Sequence, residues 1–442
     1  MGSGKTLTSL WVAKEYIDAK HVKYVNILAP NVAVGEFIDS FERAGITPKM
    51  AGKIRVETHT SFVLHKRPRL YKDSLVIVDE AHMFTGEKYD FLEKLDVPYL
   101  LLLSGTPAPN SPDEIVPLIN LLCKNRAGHW RPQKWMRSGT TEKKKIDFLR
   151  NKVSMYNIGP RYNYLKDRGT IFESENHFPG YRVSTVSVDM SPEQNEAYLK
   201  LLRRIKREPR EESLLHPFSA RERVIINTHP RRERGMVTPK INRVARDVVK
   251  EIVKSHTGVG KKDPNRLERG RLLLYAFNID VAQDLEAEIR RLCRKEKGKI
   301  SPSIEVYNGS TDDGDRLDMK EEFNKGKLDL LIISKAGSVG LDLQCTSKVF
   351  MYDLCWNIPQ MNQIIGRAIR YKSHRKPCAH DRVDVYIYTS AFVTEPPKGV
   401  EVFDKQVLID AVKKWEHVSD MIENVMQPAS IDDAQSCRKR GN

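Results

Sequence analysis

The chain opens with Met1-Gly2-Ser3-Gly4-Lys5-Thr6, which matches the second half of the phosphate-binding pattern G-x-x-x-x-G-K-[ST]. In such a loop, backbone N–H groups and the N-terminus of the following helix surround phosphate oxygens. We therefore expect nucleotide binding by the backbone of Gly2, Ser3 and Gly4, with Lys5 neutralising the β and γ phosphates and the Thr6 hydroxyl ligating Mg²⁺. The first glycine of the pattern and its preceding strand are missing. The chain is then either a fragment or has a pocket that lacks one wall.

A carboxylate pair, Asp79-Glu80, directly follows the apolar run Leu75–Val78, which predicts a buried strand. Adjacent carboxylates at a strand end are usually a solvated turn. With Lys5 and Thr6 upstream, a catalytic interpretation is favoured: Asp79 holds Mg²⁺, and Glu80 orients and deprotonates the attacking water.

A second polar cluster, Ser104-Gly105-Thr106-Pro107, follows the predicted strand Tyr99–Leu103. The Ser104 and Thr106 hydroxyls are placed to hydrogen-bond His82 and to relay the state of the nucleotide. A simple turn explains the same residues equally well.

The second half of the chain carries a glycine-containing segment, 334–343, after the predicted strand Leu330–Ile333. Its glycines, including Gly340, allow the backbone to approach a phosphate, and its polar side chains are expected to face a cleft. These side chains are Ser334, Lys335 and Asp342.

Two arginines, Arg367 and Arg370, lie three residues apart and are predicted to share one helical face. Arginine pairs on helices are usually solvated. Here the order of the surrounding motifs favours guanidinium groups that stabilise charge on a transferred phosphate.

Composition narrows the classes of protein to consider. The 442 residues include 74 Lys plus Arg against 58 Asp plus Glu, so the formal charge of +16 favours a polyanionic partner. The six cysteines form no C-x-x-C pair, so neither a zinc site nor a disulfide framework is indicated, and reduced thiols are expected. Because no run of 18 apolar residues occurs, we expect a soluble intracellular protein that does not enter membranes.

The order of apolar runs predicts two α/β domains, each with a mainly parallel sheet flanked by helices. We expect an N-terminal ATP-binding domain over 1–180, a basic helical connector over 181–240, a C-terminal domain over 241–427 and a disordered basic tail over 428–442. The connector's arginines, Arg223 among them, are interpreted as a basic surface.

Together these motifs resemble the superfamily 2 helicase-like ATPases, over residues 1 to about 390. Segments similar to motifs I to VI occur in the family's order. Asp353-x-x-Trp356-Asn357 followed by Gln363 resembles the SWI/SNF branch. The segment 366–374 is most similar to helicases of nucleocytoplasmic large DNA viruses, a group that includes the poxvirus nucleoside triphosphatase I and the small subunit of the early transcription factor. The segments matched to motifs I to VI are Gly2–Thr6, Leu28–Asn31, Thr58–Phe62, Asp79–His82, Ser104–Pro107, Tyr275–Asn278, Ser334–Leu343 and Gln363–Arg370.

The resemblance implies two tandem RecA-like domains with ATP and Mg²⁺ in the interdomain cleft. It implies nucleic-acid contacts by Asn31, Thr60, Ser334 and Lys335, and a coupling role for Gln363. DNA is favoured over RNA, with viral transcription as the process, RNA polymerase or transcription factors as protein partners, and the host cytoplasm or virion as the location. The alternatives are a duplex-unwinding helicase and a non-catalytic nucleic-acid-binding subunit with a truncated ATP site.

Overall fold

A computed structural model describes most of the chain, which forms two compact units. One unit comprises 1–158, 357–359 and 411–442, and the other comprises 159–356 and 360–410. The described residues are 4–122, 141–150, 152–155, 170–172, 178–205, 217–228, 237–257, 271–296, 299–334, 341–375, 378, 380–396 and 399–430.

The first unit contains a four-stranded parallel sheet in the order β2-β1-β3-β4. Its strands are β1 (Tyr24–Ala29), β2 (Ile54–Thr58), β3 (Ser74–Val78) and β4 (Tyr99–Leu102). All five residues of β3 are buried, as its continuous apolar sequence predicts for a strand covered on both faces. The carboxyl ends of these strands share one edge of the sheet, where ligands bind in this architecture.

Helices cover both faces of this sheet. Apolar residues of the first helix, such as Leu10 and Ala13, pack against Val25 and Ile27 of β1. The helix that the phosphate-binding pattern predicts after its glycines is confirmed and begins at Lys5. The helices are α1 (Lys5–Asp18), α2 (Asn31–Asp39), α3 (Pro48–Ala51), α4 (His59–His65), α5 (Glu87–Lys94), α6 (Ile115–Leu122) and α7 (Glu142–Leu149).

The second unit contains a seven-stranded sheet in the order β5-β6-β11-β10-β7-β9-β8, parallel except for the β5–β6 pair. The prediction of two α/β units with mainly parallel sheets is therefore confirmed. The strands are β5 (Ile171–Phe172), β6 (Gly180–Asp189), β7 (Arg271–Tyr275), β8 (Ile304–Tyr307), β9 (Leu330–Ile333), β10 (Thr346–Met351) and β11 (Arg382–Ala391).

The start of the region assigned to a connector belongs to this sheet. Strand β6 pairs in parallel with β11 over ten residue pairs, from Gly180–Arg382 to Asp189–Ala391. The side chains of β6 alternate between buried and partly exposed in its first half, so its sequence lacks the continuous apolar run of its neighbours.

The helices of the second unit pack on the sheet through apolar faces, with Val244 and Val248 of one helix against Val281 and Leu285 of another. The helices are α8 (Pro192–Ile205), α9 (Pro217–Asn227), α10 (Pro239–Thr257), α11 (Ile279–Lys295), α12 (Asp313–Asn324), α13 (Ile358–Ala368) and the start of α14 (Phe403–Met421). The residues of α14 from 411 onward are assigned to the first unit. A π-helical turn (Ile422–Met426) and α15 (Gln427–Ala429) follow α14. No described helix has both the length and the apolar character required to cross a membrane.

One expectation about cysteines is wrong. Cys345 and Cys378 form a disulfide, whereas Cys293 and Cys355 are buried and form no disulfide with a described residue. The partners are 33 residues apart in sequence and meet because the segment after α13 returns beside the start of β10. Nothing in the cysteine spacing predicts that return. Cys123 and Cys437 lie outside the described residues.

Candidate functional site

The start of α1 places a lysine beside the carboxylates that follow β3. Gly4 precedes the helix with φ of 79°, a left-handed conformation that glycine adopts without steric cost. Lys5 Nζ lies 3.2 Å from Glu80 Oε1 although 75 residues separate the two in sequence. Thr6 lies in the first turn of α1, and Gly2 and Ser3 lie outside the described residues. Lys5 and the carboxylate pair are thus brought together in one site.

The carboxylate pair lies at the end of a fully buried strand. Asp79 is 8% exposed, and its backbone N–H donates to Leu28 O at 2.9 Å, which extends the sheet by one residue. Burial, reinforced by the Glu80 carboxylate, raises the pKa of Asp79 to about 6, and Lys5 opposes the shift. Glu80 itself has φ of 48°, a conformation uncommon for a non-glycine residue and concentrated at functional sites.

His82 joins this pair to the loop after β4. His82 Nδ1 lies 2.9 Å from Ser104 Oγ and 3.4 Å from Glu80 Oε2. Ser104 Oγ also accepts the Thr106 N–H at 3.0 Å, and Thr106 Oγ1 lies 3.4 Å from His82 Nδ1. Burial lowers the pKa of His82, so the imidazole is neutral at physiological pH. The four polar side chains form one continuous path from Glu80 to Thr106.

A residue that sequence reasoning missed contacts the backbone of Asp79. His59, 4% exposed, directly follows β2, and its Nε2 donates to Asp79 O at 3.0 Å. Burial lowers its pKa to about 4, so this ring is neutral. The sequence signal for His59 was its position, because His59 directly follows β2 in the same way that Asp79 directly follows β3. The sequence resemblance predicts a role for the neighbouring Thr60 instead.

The two nucleic-acid contacts predicted in this unit are both accessible. Asn31 is the first residue of α2 and Thr60 the second residue of α4, and both are exposed. They follow β1 and β2, at the same sheet edge as Asp79. Side chains and helix N-termini at such positions are common donors to nucleic-acid phosphates.

The oxygen ligands of the first unit suit a magnesium ion. A carboxylate from Asp79 and a hydroxyl from Thr6 are hard donors, and Mg²⁺ is usually held by one or two carboxylates together with substrate phosphates and water. The described residues contain no group of three or more side chains able to form a metal site of their own. Asp79, buried with a raised pKa, is a group that an added cation would stabilise in its ionised form.

In the second unit, the two predicted arginines contact the segment that begins at Leu341. Arg367, 8% exposed, donates from Nη1 to Leu341 O at 3.3 Å, and Arg370 Nε lies 3.8 Å from Asp342 Oδ1. Gln363 is half-buried on α13, and Ser334 is buried directly after β9. Lys335 and Gly340 lie outside the described residues.

The prediction that both arginines share one helical face is wrong. Helix α13 ends at Ala368, so Arg370 lies beyond it. Ser373 Oγ ends the helix by donating to Ala368 O at 3.3 Å and accepting the Arg370 N–H at 3.3 Å. This side-chain competition for backbone groups is typical of serine near helix ends.

The interpretation of Arg223 as part of a basic surface is also wrong. Arg223 is 6% exposed, and its guanidinium carbon lies 4.7 Å from the Phe277 ring centre and 4.9 Å from that of Trp356. Its Nη2 donates to Leu354 O at 3.0 Å. Arg223 therefore holds the Asp353–Trp356 segment through cation–π contacts and a hydrogen bond. By contrast, Arg203 and Arg204 of α8 are exposed.

A network of buried charges surrounds the same segment. Asp353 Oδ1 accepts Asn227 Nδ2 at 2.5 Å, and its Oδ2 accepts the Phe277 N–H at 2.7 Å. Lys240 Nζ, 3.1 Å from Asn227 Oδ1, lies 2.8 Å from Asp404 Oδ2. Each ionisable group in this network thus has a hydrogen-bond partner or a counter-charge.

Comparison with known proteins matches this chain in two regions. A SNF2-related domain matches residues 48–232, and a helicase conserved C-terminal domain matches residues 250–372. An uncharacterized ATP-dependent helicase of Bacillus subtilis is 22% identical over 98% of this chain and 77% of its own length. A protein of Acanthamoeba polyphaga mimivirus, provisionally named an ATP-dependent RNA helicase, is 25% identical over 93% of this chain and 92% of its own length.

A shorter match involves a poxvirus. Nucleoside triphosphatase I of Amsacta moorei entomopoxvirus is 32% identical over 117 residues, which cover 26% of this chain and 17% of the relative. The two domain matches follow each other along the chain in the order of the motifs assigned above, and the regions that they cover have α/β structure with mainly parallel sheets. The chain belongs to the superfamily 2 helicase-like ATPases, in their SWI/SNF-like branch, and has relatives among viral helicases.

Proposed function

We propose that this protein is a nucleic-acid-dependent ATPase that translocates on DNA and serves viral transcription, with ATP as substrate and Mg²⁺ as cofactor. The observation that carries the proposal is the 3.2 Å contact between Lys5 and Glu80, beside the buried Asp79. A lysine at a helix start and two carboxylates at a buried strand end are the groups that phosphoryl transfer to water requires.

Each group in the first unit has a distinct role. Lys5 and the N-terminus of α1 bind the phosphates, while Thr6 and Asp79 hold Mg²⁺, which supplies positive charge against the phosphate oxygens. Glu80 accepts a proton from the attacking water. His82, 3.4 Å from Glu80 Oε2, orients that carboxylate and joins its position to Ser104 and Thr106.

In the second unit, we assign Arg367 and Arg370 to stabilising charge on the transferred phosphoryl group. A guanidinium is always charged and matches phosphate geometry, which suits this role. Asp342, 3.8 Å from Arg370, restrains that guanidinium. Gln363, on the same helix as Arg367, is assigned to coupling, and Ser334 and Lys335 to nucleic-acid contact.

Nucleic-acid binding is supported by charge and by placement. The formal charge of +16 and the exposed Asn31 and Thr60 favour contacts with phosphates over contacts with base edges. Binding should then show little sequence preference. RNA polymerase or transcription factors are the proposed protein partners. Because the mimivirus relative is provisionally named an RNA helicase, RNA belongs in the same assays as DNA.

The test is steady-state ATP hydrolysis with no nucleic acid, single-stranded DNA, duplex DNA or RNA, on the wild type, Lys5→Ala and Glu80→Gln. We expect stimulation by DNA, loss of nucleotide binding in Lys5→Ala, and retained binding with at least about 100-fold slower hydrolysis in Glu80→Gln. Lys14→Ala is the matched control, because Lys14 lies on the same helix and, within the part of the chain that the structure describes, pairs only with the exposed Asp18. Equal hydrolysis by the wild type and Lys5→Ala would refute the proposal.

A displacement assay separates the remaining alternatives. Release of a third strand from a triplex, without separation of the underlying duplex, supports translocation. Separation of the duplex supports the unwinding helicase instead. Salt-sensitive DNA binding without hydrolysis supports the non-catalytic subunit.

A further inference from the structure

The disulfide between Cys345 and Cys378 links the two segments that carry Asp342 and Arg370. These segments also share backbone contacts, since Cys345 N–H donates to Ser373 O at 3.0 Å and Leu343 N–H to Arg367 O at 3.3 Å. Cys345 is 4% exposed, whereas Cys378 is half-buried and more accessible. The covalent link therefore lies within the arginine-bearing region of the second unit.

A buried arginine lies next to this disulfide. Arg271, the first residue of β7, is 2% exposed, and its backbone N–H donates to Cys345 O at 3.3 Å. Its Nη1 donates to Gln344 O at 2.6 Å, but its buried Nε and Nη2 have no hydrogen-bond partner within the described part of the chain. A guanidinium keeps its charge in proteins, so a buried one without an anionic partner is unfavourable.

The two histidine rings in this region do not supply an anionic partner for Arg271. His374 and His380 have ring centres 5.2 Å apart, and burial is the main reason that the pKa of each is lowered. The Arg271 charge lowers both pKa values further, and the Asp381 carboxylate opposes this. The guanidinium carbon of Arg271 lies 5.9 Å from the Phe323 ring centre, and no carboxylate among the described residues pairs with it. A thiolate at Cys345, the residue after Gln344, would add a nearby counter-charge.

We propose that Cys345 and Cys378 form a reversible redox site, whose reduced form Arg271 stabilises and whose oxidised form ties Arg370 to the segment of Asp342. A stabilised thiolate makes a disulfide easier to reduce, because the reduced state gains free energy that the oxidised state lacks. The co-reactant is a dithiol, either a small molecule or a protein.

The exchange proceeds in two steps. A thiolate of the dithiol attacks Sγ of Cys378, the Cys345–Cys378 bond breaks, and Cys345 leaves with the electron pair as a thiolate beside Arg271. The second thiol of the reductant, losing its proton to solvent, then attacks the mixed disulfide, and Cys378 leaves and takes up a proton. Two electrons pass to the protein disulfide, and the reductant becomes a disulfide.

The consequence for catalysis rests on the proposed function. In the oxidised state, the disulfide adds a covalent restraint to the 3.8 Å contact between Arg370 and Asp342. In the reduced state, Arg370 can leave Asp342 for a phosphate. We expect the oxidised protein to have a severalfold lower kcat and an unchanged affinity for nucleotide, because Lys5 and Thr6 lie in the other unit.

The first test is a redox titration of the full chain in dithiothreitol buffers, with acid quenching, thiol alkylation and mass spectrometry of the peptides containing Cys345 and Cys378. We expect both thiols to disappear in one two-electron step. Arg271→Leu should shift the thiol–disulfide equilibrium at least about tenfold toward the disulfide, which lowers the reduction potential by ~30 mV. Arg271→Lys keeps the charge and should stay close to wild type.

Because a buried substitution at Arg271 risks unfolding, a second measurement leaves this residue intact. In Cys378→Ser, the rate of Cys345 alkylation against pH should report a thiol pKa below that of free cysteine. Three results would overturn the proposal: peptides that stay reduced in oxidising buffer, a disulfide that resists excess dithiothreitol, or equal shifts in Arg271→Leu and Arg271→Lys.

The second test compares ATP hydrolysis by oxidised and reduced protein, with Cys378→Ser as a control that should not respond to redox state. Equal kcat in both states of the wild type would overturn the catalytic consequence. If neither state hydrolyses ATP, the proposed function fails, while the titration still decides whether the redox site exists.

Discussion

Asp79 is predicted to limit the stability of the first unit in order to serve its site. Its pKa is raised from 3.8 to about 6, chiefly by burial and secondly by Glu80. A carboxyl group with a raised pKa makes its full contribution to stability at pH values below its unfolded-state pKa. This contribution is lost as pH rises through the folded-state pKa. The ionised carboxylate of the nucleotide-free protein therefore opposes folding at neutral pH.

The magnitude follows from the shift. At 1.36 kcal/mol per pKa unit, the raised pKa of Asp79 lowers the free energy of unfolding by about 3 kcal/mol at pH 7.5. At pH 5, where the folded-state group is mostly protonated, the same shift lowers it by about 1.6 kcal/mol. Asp79→Asn keeps the shape and removes the charge. We expect this variant, without nucleotide, to be more stable than wild type by those amounts and to bind Mg²⁺–ATP more weakly.

The assay is hydrogen exchange of the β3 amides at both pH values, which reports opening of the first unit by itself. Asp96→Asn, which changes an exposed carboxylate of the same unit, is the control and should leave exchange unchanged. His59 has a folded-state pKa lowered to about 4, and the pH dependence that this gives to stability cancels when wild type and variant are compared at the same pH. A variant less stable than wild type at pH 7.5, or an advantage of the same size at both pH values, would refute this reasoning.

Three further predictions follow from other contacts. Asp404→Asn, which leaves buried Lys240 without its counter-charge, should destabilise the second unit by about 3–5 kcal/mol in urea unfolding. The double change Lys240→Met and Asp404→Leu should recover most of that loss, and no recovery would contradict the charge argument. Arg223→Leu should reduce DNA stimulation of hydrolysis more than basal hydrolysis, because Arg223 holds Trp356; an equal reduction would indicate a purely structural role. Finally, the logarithm of DNA affinity should fall linearly with the logarithm of salt concentration, and a flat dependence would exclude phosphate-dominated binding.

Strand β3, which ends at the carboxylate pair, was predictable because it is buried on both faces. Leu75–Val78 is continuously apolar for that reason, and the polar Asp79-Glu80 pair marks its end. Strand β6 was not recognised as part of a domain. Its side chains alternate in burial, and its parallel partner β11 begins about 200 residues later, so no local pattern joins the two.

Side-chain environments were less predictable than strands. Arg223 belongs to an arginine-rich stretch that is typical of a solvated surface, yet it packs between two aromatic rings that come from distant segments. The same limit applies to His59, whose partner is a backbone carbonyl of another strand. In both cases the decisive neighbour is set by tertiary structure, which composition and spacing do not report.

The buried charges of the two units differ in a way that bears on function. In the second unit, Lys240 and Asp404 form a pair 2.8 Å apart, so their charges cancel within the fold. In the first unit, Asp79 and Glu80 place two carboxylates beside the single ammonium of Lys5, which leaves an excess of negative charge at a sheet edge. A fold that needed only stability would lose nothing by neutralising Asp79. A buried carboxylate at this position is explained if a cation completes the site, which is the condition for binding a magnesium nucleotide.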